Sequence, residues 1–252
     1  STDGGVNWNY VFSDTTTDFR CIRHIDENTL YAVGDSGNIV KTNNGGGSWS
    51  NDTSGTSMQL NEITFLNNKA IIVGDSGTIL MNTNILMVSN TTWYLYNFRL
   101  GLIKSFLKCG YQVFTVAPED ECLIKLKETG CVHFNFDMDN KGVNPIGDIM
   151  MKIALSKIYN EINPHLILHY TIKPVIYGSM AASQLGIPYV NNITGLGTTF
   201  IKKNWITFLV KSLYKRSQKD ASLVLFQNCE DKELFEKQEL VPESVPKKVF
   251  PG

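Results

Sequence analysis

The chain has 252 residues, 42% hydrophobic and 19% charged, with a formal net charge of −1. That is the composition of an ordinary globular protein of one large or two small domains, with no basic excess for a nucleic acid and no apolar run near the ~20 residues of a membrane span. Five cysteines (Cys21, Cys109, Cys122, Cys131, Cys229) stand without C-x-x-C spacing, which argues for buried reduced thiols and against a disulfide framework or a zinc site.

The two ends differ in kind. Residues 1–84 hold 4 Lys/Arg against 9 Asp/Glu, a net of −5, and residues 85–252 hold 19 against 15, a net of +4. All 8 prolines follow position 84, while 10 of the 20 glycines precede it. This predicts two modules, 1–84 and 85–252. The first is an internal repeat. Ser1-x-Asp3-x-Gly5-x-x-Trp8 returns as Thr42-x-Asn44-x-Gly46-x-x-Trp49, and Val33-Gly34-Asp35-Ser36-Gly37 returns as Val73-Gly74-Asp75-Ser76-Gly77, offsets of 41 and 40. Short alternating runs such as TLYAVG, NIVKT, AIIVG and TILMN lie between these markers and read as strands joined by Gly-Asp-Ser-Gly turns. A period near 40 with several short strands fits β-propeller blades. The markers resemble the Asp-box of sialidase-type propellers and the repeats of photosystem II assembly-factor-like propellers. By that resemblance Asp3, Trp8 and Trp49 are fold residues, and Asn44 replaces the Asp while still closing an Asx turn. Two repeats are too few to close a propeller. A third begins at Met81-Asn82-Thr83-Asn84 and stops there, so the expectation is an incomplete antiparallel piece with exposed strand edges.

From Ile85 the pattern becomes strand–helix. Apolar strand candidates are 85–89, 112–117, 132–136, 165–169, 188–191 and 223–227; helical patterns lie near 96–108, 121–129, 146–161, 174–185, 203–218 and 231–238. Continuous apolar runs such as HLILHY and SLVLFQ fit strands buried on both faces of a parallel sheet. The alternation predicts a doubly wound, Rossmann-like α/β domain, whose ligand crevice lies beyond the carboxyl ends of the strands.

Three strand-end loops carry the candidate residues. After the first strand, Asn90, Thr91 and Thr92 can cap a helix and offer amides to an anion, with Asn97 and Arg99 about one turn in. No G-x-G-x-x-G is present. After the fourth come His169, Thr171 and Lys173, followed by Pro174 suited to a helix start. A lone His is more often a packed core residue than a reactive one. After the fifth come Asn192, Thr194, Gly195 and Gly197, whose glycines allow close approach of backbone to a ligand. Residues 202–219, KKNWITFLVKSLYKRSQK, read as a basic amphipathic helix able to lie on an anionic membrane surface or to pack on the sheet.

Taken together, WYLYNFR, HYTIKP and NNITGLG, with KGVNP and FQNCEDKELF, resemble the N-terminal domain of family 4 glycosyltransferases of the GT-B fold, in particular bacterial enzymes of capsular and lipid-linked oligosaccharide synthesis. The fold class expected is thus short antiparallel β-propeller-like repeats followed by an α/β Rossmann-like domain, the N-terminal half of a GT-B fold. The resemblance implies a retaining transferase using a nucleotide-sugar donor, in many cases a UDP-sugar, and an undecaprenyl-diphosphate-linked or polysaccharide acceptor, without a bound metal or other cofactor. It implies His169 near the reacting sugar. It also implies Asn90, Asn97, Arg99, Thr171, Lys173, Asn192, Thr194, Gly195 and Gly197 on the substrate, at the cytoplasmic membrane face. The family's C-terminal donor domain would follow Gly252, so this chain alone is expected to be inactive. A non-enzymatic propeller scaffold, or a junction of two unrelated truncated proteins, is the competing reading.

Overall fold

A computed structural model describes residues 6, 17–66, 69–81, 83–138, 145–195 and 205–250. The chain divides into two compact units, Ser1–Asn82 with Lys108–Tyr111, and Thr83–Leu107 with Gln112–Gly252.

In the first unit, β1 (Phe19–His24), β2 (Leu30–Gly34), β3 (Asn38–Thr42) and β4 (Ser50–Thr53) form an antiparallel sheet in sequence order; β5 (Leu60–Leu66), β6 (Lys69–Gly74) and β7 (Ile79–Met81) form another. The 40-residue repeat is visible in the turns. Ser36 has φ 56°, ψ 26° and Ser76 φ 55°, ψ 28°, and each is followed by a glycine at φ 74°. Two consecutive left-handed residues make the tight reversal, and a glycine takes the second place without strain. Asn44 closes the β3–β4 turn as its position in the repeat predicts: Oδ1 accepts from the Ser48 amide at 2.8 Å and the Thr42 hydroxyl at 2.8 Å. Asp3 and Trp8 lie outside the described residues. Tyr31, Val33, Ile39, Leu60, Ile63, Ala70 and Ile72 form this unit's core. These strands are antiparallel and repeated; a propeller arrangement does not follow from them.

The second unit is a parallel sheet of, among the described residues, seven strands: β8 (Asn84–Val88), β9 (Gln112–Ala117), β10 (Val132–Asn135), β11 (Leu166–Tyr170), β12 (Tyr189–Ile193), β13 (Leu223–Phe226) and β14 (Lys247–Val249). Their order is β10-β9-β8-β11-β12-β13-β14. The connecting helices are α1 (Thr92–Lys108), α2 (Leu123–Lys127), α3 (Pro145–Ile162), α4 (Ser179–Leu185), α5 (Trp205–Ser217) and α6 (Cys229–Lys237), with a π-helical turn, Pro174–Gly178, leading into α4. Local signals explain the boundaries. Pro145 opens α3, where the missing amide costs nothing. Gly186, at φ 67°, ends α4. Asn228 Oδ1 caps α6 by accepting from the Asp231 amide at 2.7 Å.

Two sequence expectations shift. Asn84, assigned above to an unfinished repeat, is the first residue of β8; its amide donates to His165 Nδ1 at 2.9 Å and its side chain to the Ile162 carbonyl at 2.9 Å. The last strand, β14, was not expected: three residues, two of them lysine, carry no apolar run, and pairing with β13 alone makes them a strand.

Candidate functional site

Strand order reverses between β8 and β11, since β9 and β10 lie on one side and β12 to β14 on the other. Chains leaving the carboxyl ends of β8 and β11 therefore part to opposite faces and open a crevice. Parallel pairing sets what points into it. Val88 stands beside His169 and Tyr170 beside Asn192, so Ser89, Tyr170 and Asn192 share one face, while His169 and Asn191 share the other.

On the first face α1 brings Arg99 to Tyr170. The guanidinium carbon lies 4.8 Å from the Tyr170 ring centre and 5.5 Å from that of Tyr94. Nη2 donates to the Tyr94 hydroxyl at 2.9 Å and Nη1 to the Phe98 carbonyl at 3.1 Å. Among the described residues no carboxylate pairs with it, and its Nε is buried without a partner. Burial pushes the Tyr94 phenol above its ordinary pKa and the Arg99 charge pulls it part of the way back. Three further buried polar atoms of the same strand ends lack partners: Ser89 Oγ, Thr171 Oγ1 and Asn192 Oδ1. Thr171 also sits at φ 66°, a costly conformation for a β-branched residue. A buried polar atom left unpaired costs about 1–3 kcal/mol. Of these four residues, Arg99 and Asn192 also line a cavity. It measures about 570 Å³ and runs between α1 and the face of β11–β13, with Phe98, Leu168, Tyr170 and Leu225 among its other lining residues.

The opposite face holds a closed network. His169 is fully buried; its Nε2 meets the Tyr159 hydroxyl at 3.0 Å and its Nδ1 meets Asn191 Oδ1 at 3.0 Å. The Ser179 hydroxyl also donates to Asn191 Oδ1, at 2.9 Å, and Asn191 Nδ2 donates to Gln218 Oε1 at 2.7 Å. Because the Asn191 oxygen can only accept, Nδ1 carries the proton and Nε2 accepts from Tyr159. Burial lowers the His169 pKa to about 3, against a smaller upward pull from Asn191. The ring is thus neutral and has no free nitrogen, and the geometry gives it no reactive position.

The other expected residues separate. Asn97 is exposed and its Nδ2 returns to the Trp93 carbonyl at 2.9 Å; two positions from Arg99, it faces a different side of α1. Lys173 is paired at 3.0 Å with Asp148, which also accepts from the Tyr177 hydroxyl at 2.8 Å. Its charge is therefore already answered. At the start of α1 the Thr92, Trp93 and Tyr94 amides are already engaged within the protein, the last by the Thr91 hydroxyl as a helix cap. The Trp93 amide donates to Asp120 Oδ2 at 2.7 Å, the Tyr94 amide to Thr91 Oγ1 at 3.0 Å and the Thr92 amide to the Pro118 carbonyl at 3.2 Å. Asn90 follows β8 and is half-buried. Thr194 and Gly195 follow β12, half-buried, with Gly195 at φ 116°; Gly197 lies outside the described residues. Within the basic segment 202–219, Trp205–Ser217 form α5; its Val210, Leu213 and Tyr214 pack into the core, while Phe208 is exposed. Ser89, Tyr94, Tyr170, Asp120 and Asp148 were missed. Period-two alternation would have shown that His169 and Tyr170 point to opposite faces, though not which face opens. Among the described residues no group of three or more His, Cys, Asp or Glu stands close enough to hold a metal ion, and no helix is long and apolar enough to cross a membrane.

Comparison with known proteins places this site in a family context. The family described as glycosyl transferase 4-like matches residues 84–228. The N,N'-diacetylbacillosaminyl-diphospho-undecaprenol alpha-1,3-N-acetylgalactosaminyltransferase of Campylobacter jejuni is 30% identical over 139 residues, 53% of this chain. The chain spans 37% of that curated relative's length. The sucrose-phosphate synthase of Thermosynechococcus elongatus, 12% identical, shares the fold at a TM-score of 0.50 over 68% of this chain and 48% of its own. The structure of YCF48 bound to D1 peptide is 26% identical over 27% of this chain and 23% of its own, at a TM-score of 0.25, too slight a match to argue the architecture of residues 1–84.

Proposed function

Because the chain belongs to the glycosyl transferase 4-like family, and is a transferase by that membership, we propose that residues 85–252 form the acceptor-side domain of a retaining enzyme. It moves a sugar from a nucleotide donor, a UDP-sugar, to an undecaprenyl-diphosphate-linked or polysaccharide acceptor at the cytoplasmic face of the membrane. In that reaction the bond between the sugar's anomeric carbon and the nucleotide diphosphate breaks, and one forms to an acceptor hydroxyl, which loses its proton. The observation that carries the reading is Arg99, a cation against the rings of Tyr94 and Tyr170 with no carboxylate partner among the described residues, at the switch point of the sheet. Arg99 holds phosphate oxygens of the acceptor; the Ser89 and Thr171 hydroxyls and Asn192 Oδ1 take its sugar hydroxyls, and Asn90, Thr194, Gly195 and Gly197 line the approach. His169 is a positioning residue that fixes β11 and β12 beneath these groups. Lys173 and Asp148 hold the π-helical turn, and Asn97 lies at the outer rim. The family match and the lipid-linked substrate in the Campylobacter relative's name support this reading. The recurrent Asp-Ser-Gly turns support reading residues 1–84 as two propeller-type repeats.

Calorimetric titration with a short polyprenyl-diphosphate-linked N-acetylhexosamine tests it. Arg99→Ala should weaken binding about 10- to 100-fold, the worth of hydrogen bonds to a charged group, and Arg99→Lys should not restore it, because an ammonium lacks the planar fork. Equal binding by Arg99→Ala would remove the site from the reading.

A further inference from the structure

We propose that the open face of the second antiparallel sheet is an interface for a second copy of this chain, which seats its first sheet there as the second sheet is seated on the first. The two sheets are copies of one repeat. Val33, Gly37 and Ile39 correspond to Val73, Gly77 and Ile79, 40 positions on. Val33 stands opposite Ile39 as Val73 stands opposite Ile79. Ile22 pairs with Ala32 as Ile63 pairs with Ile72, and both first strands shift register near their start, between Phe19 and Cys21 in β1 and between Leu60 and Glu62 in β5. Equivalent residues nevertheless differ in exposure. Val33 and Ile39 are 0% and 6% exposed, whereas Val73 and Ile79 are 40% and 68% exposed.

The first sheet shows what covers such a face. β5 packs against β1 and β2. Tyr31, Val33 and Ile39 thereby share a core with Leu60, Ile63 and Ile72, and the ring centres of Tyr31 and Phe65 lie 5.6 Å apart. The connection from β4 to β5 closes over the first turn: a Cβ on Gly37 would collide with the Thr56 carbonyl oxygen, whereas one on Gly77 would meet nothing within 4 Å. β4 pairs along β3, while β7 pairs, among the described residues, with β6 alone. After β7 the chain enters β8 of the parallel sheet, so no third repeat follows in sequence. Terminal repeats need a polar outer face. Val73 and Ile79 are instead the residue types that the first sheet buries. A matching surface exists on the same chain. Ile63, part of the internal contact, is 0% exposed, and its counterpart Ile22 is 51% exposed. A second copy can place Ile22 on Val73 and Ile79 as Ile63 joins Val33 and Ile39 in the internal core. The two surfaces differ, so the contact is heterologous and copies add head to tail.

Sedimentation velocity of the whole chain tests this without any sugar substrate, so its outcome is separate from the transferase reading. The chain should associate increasingly with concentration. Val73→Thr with Ile79→Thr keeps β-branched side chains in the strands and should weaken association about 30-fold, with unchanged circular dichroism because both side chains are exposed. Ile22→Thr should weaken it similarly, from the other surface. An equimolar mixture of these two variants should regain association, but only to a dimer, because each supplies the surface that the other has lost. A chain that stays monomeric at every concentration would overturn the proposal, as would undiminished association by the Val73→Thr, Ile79→Thr variant. Undiminished association by Ile22→Thr would show that like surfaces meet, and a mixture that stays monomeric would show that the two surfaces are not partners; either result also overturns it.

Discussion

His169 and Tyr170 are neighbours in β11, and their side chains enter different environments: a sealed hydrogen-bonded network and an open cavity. The network depends on Gly178. A Cβ there would stand 2.7 Å from His169 Nε2 and 2.8 Å from the Tyr159 hydroxyl, although its backbone, φ −64°, would accept any residue. Gly178→Ala should therefore destabilise the second unit by about 2–3 kcal/mol through overpacking and a broken hydrogen bond, measured as a lower urea midpoint. His169 also predicts a pH dependence. Burial lowers its folded pKa to about 3 from an ordinary 6.5. Between those values the unfolded chain binds the extra proton, so stability is fully present above the unfolded value and is lost as pH falls toward the folded one. A series of urea midpoints from neutral to acid should show that loss. His169→Phe, less stable at neutral pH because Tyr159 and Asn191 lose a partner, should show a flatter profile over the same window. A parallel decline in both proteins would assign the acid sensitivity to other groups. The strand-end position of both residues was legible from the apolar run HLILHY; the facing was not, because alternation gives two faces and only packing says which one is closed.

At the scale of elements, α1 is held by a residue outside it. Asp120 Oδ2 accepts from the Trp93 amide and Oδ1 from the Cys122 amide at 2.9 Å, while the Asp120 amide donates to the Thr92 hydroxyl at 3.2 Å. Burial raises the Asp120 pKa, but the Thr92 hydroxyl and the Trp93 and Cys122 amides outweigh it and hold the carboxyl below its ordinary range. Its stabilisation is present above the ordinary carboxylate pKa and is lost as pH drops through the lowered one. Asp120→Ala should cost about 1 kcal/mol, the usual worth of a helix cap, and should loosen α1 and Arg99 with it. Hydrogen exchange at the Trp93 and Tyr94 amides would report this; unchanged protection would show that the cap is dispensable. The helices themselves were readable from apolar periodicity, and α1, α3 and α5 fall close to their expected places. So was the Thr91 cap, which accepts from the Tyr94 amide; the contact from Asp120 was not, since it lies 27 positions from the amide it satisfies.

For the whole molecule, the two units have cores of different size. Among the described residues, the core cluster of the first unit has seven buried residues, against 23 in that of the second. Hydrophobic stabilisation scales with area removed from water, so the first unit should unfold at lower urea. A Trp93→Phe, Trp205→Phe variant, whose remaining tryptophans lie in the first unit, should show a fluorescence transition below that of the complementary Trp8→Phe, Trp49→Phe variant. Coincident transitions would mean that the units unfold as one.

Composition, repeat spacing and period by themselves determined that an antiparallel repeat precedes a parallel α/β unit, because those signals are local: turns recur at fixed offsets and buried strands read as apolar runs. They also carried Arg99, Thr171 and Asn192 into view through strand-end placement. Tertiary structure decided the rest. It paired Lys173 with Asp148, closed His169 inside the core, turned α5 inward and left Ile149, Met150 and Ile153 facing out. Each of these depends on which groups long-range packing brings together and which it leaves in water. Residue order alone carries no distance between positions that meet only when the sheet assembles.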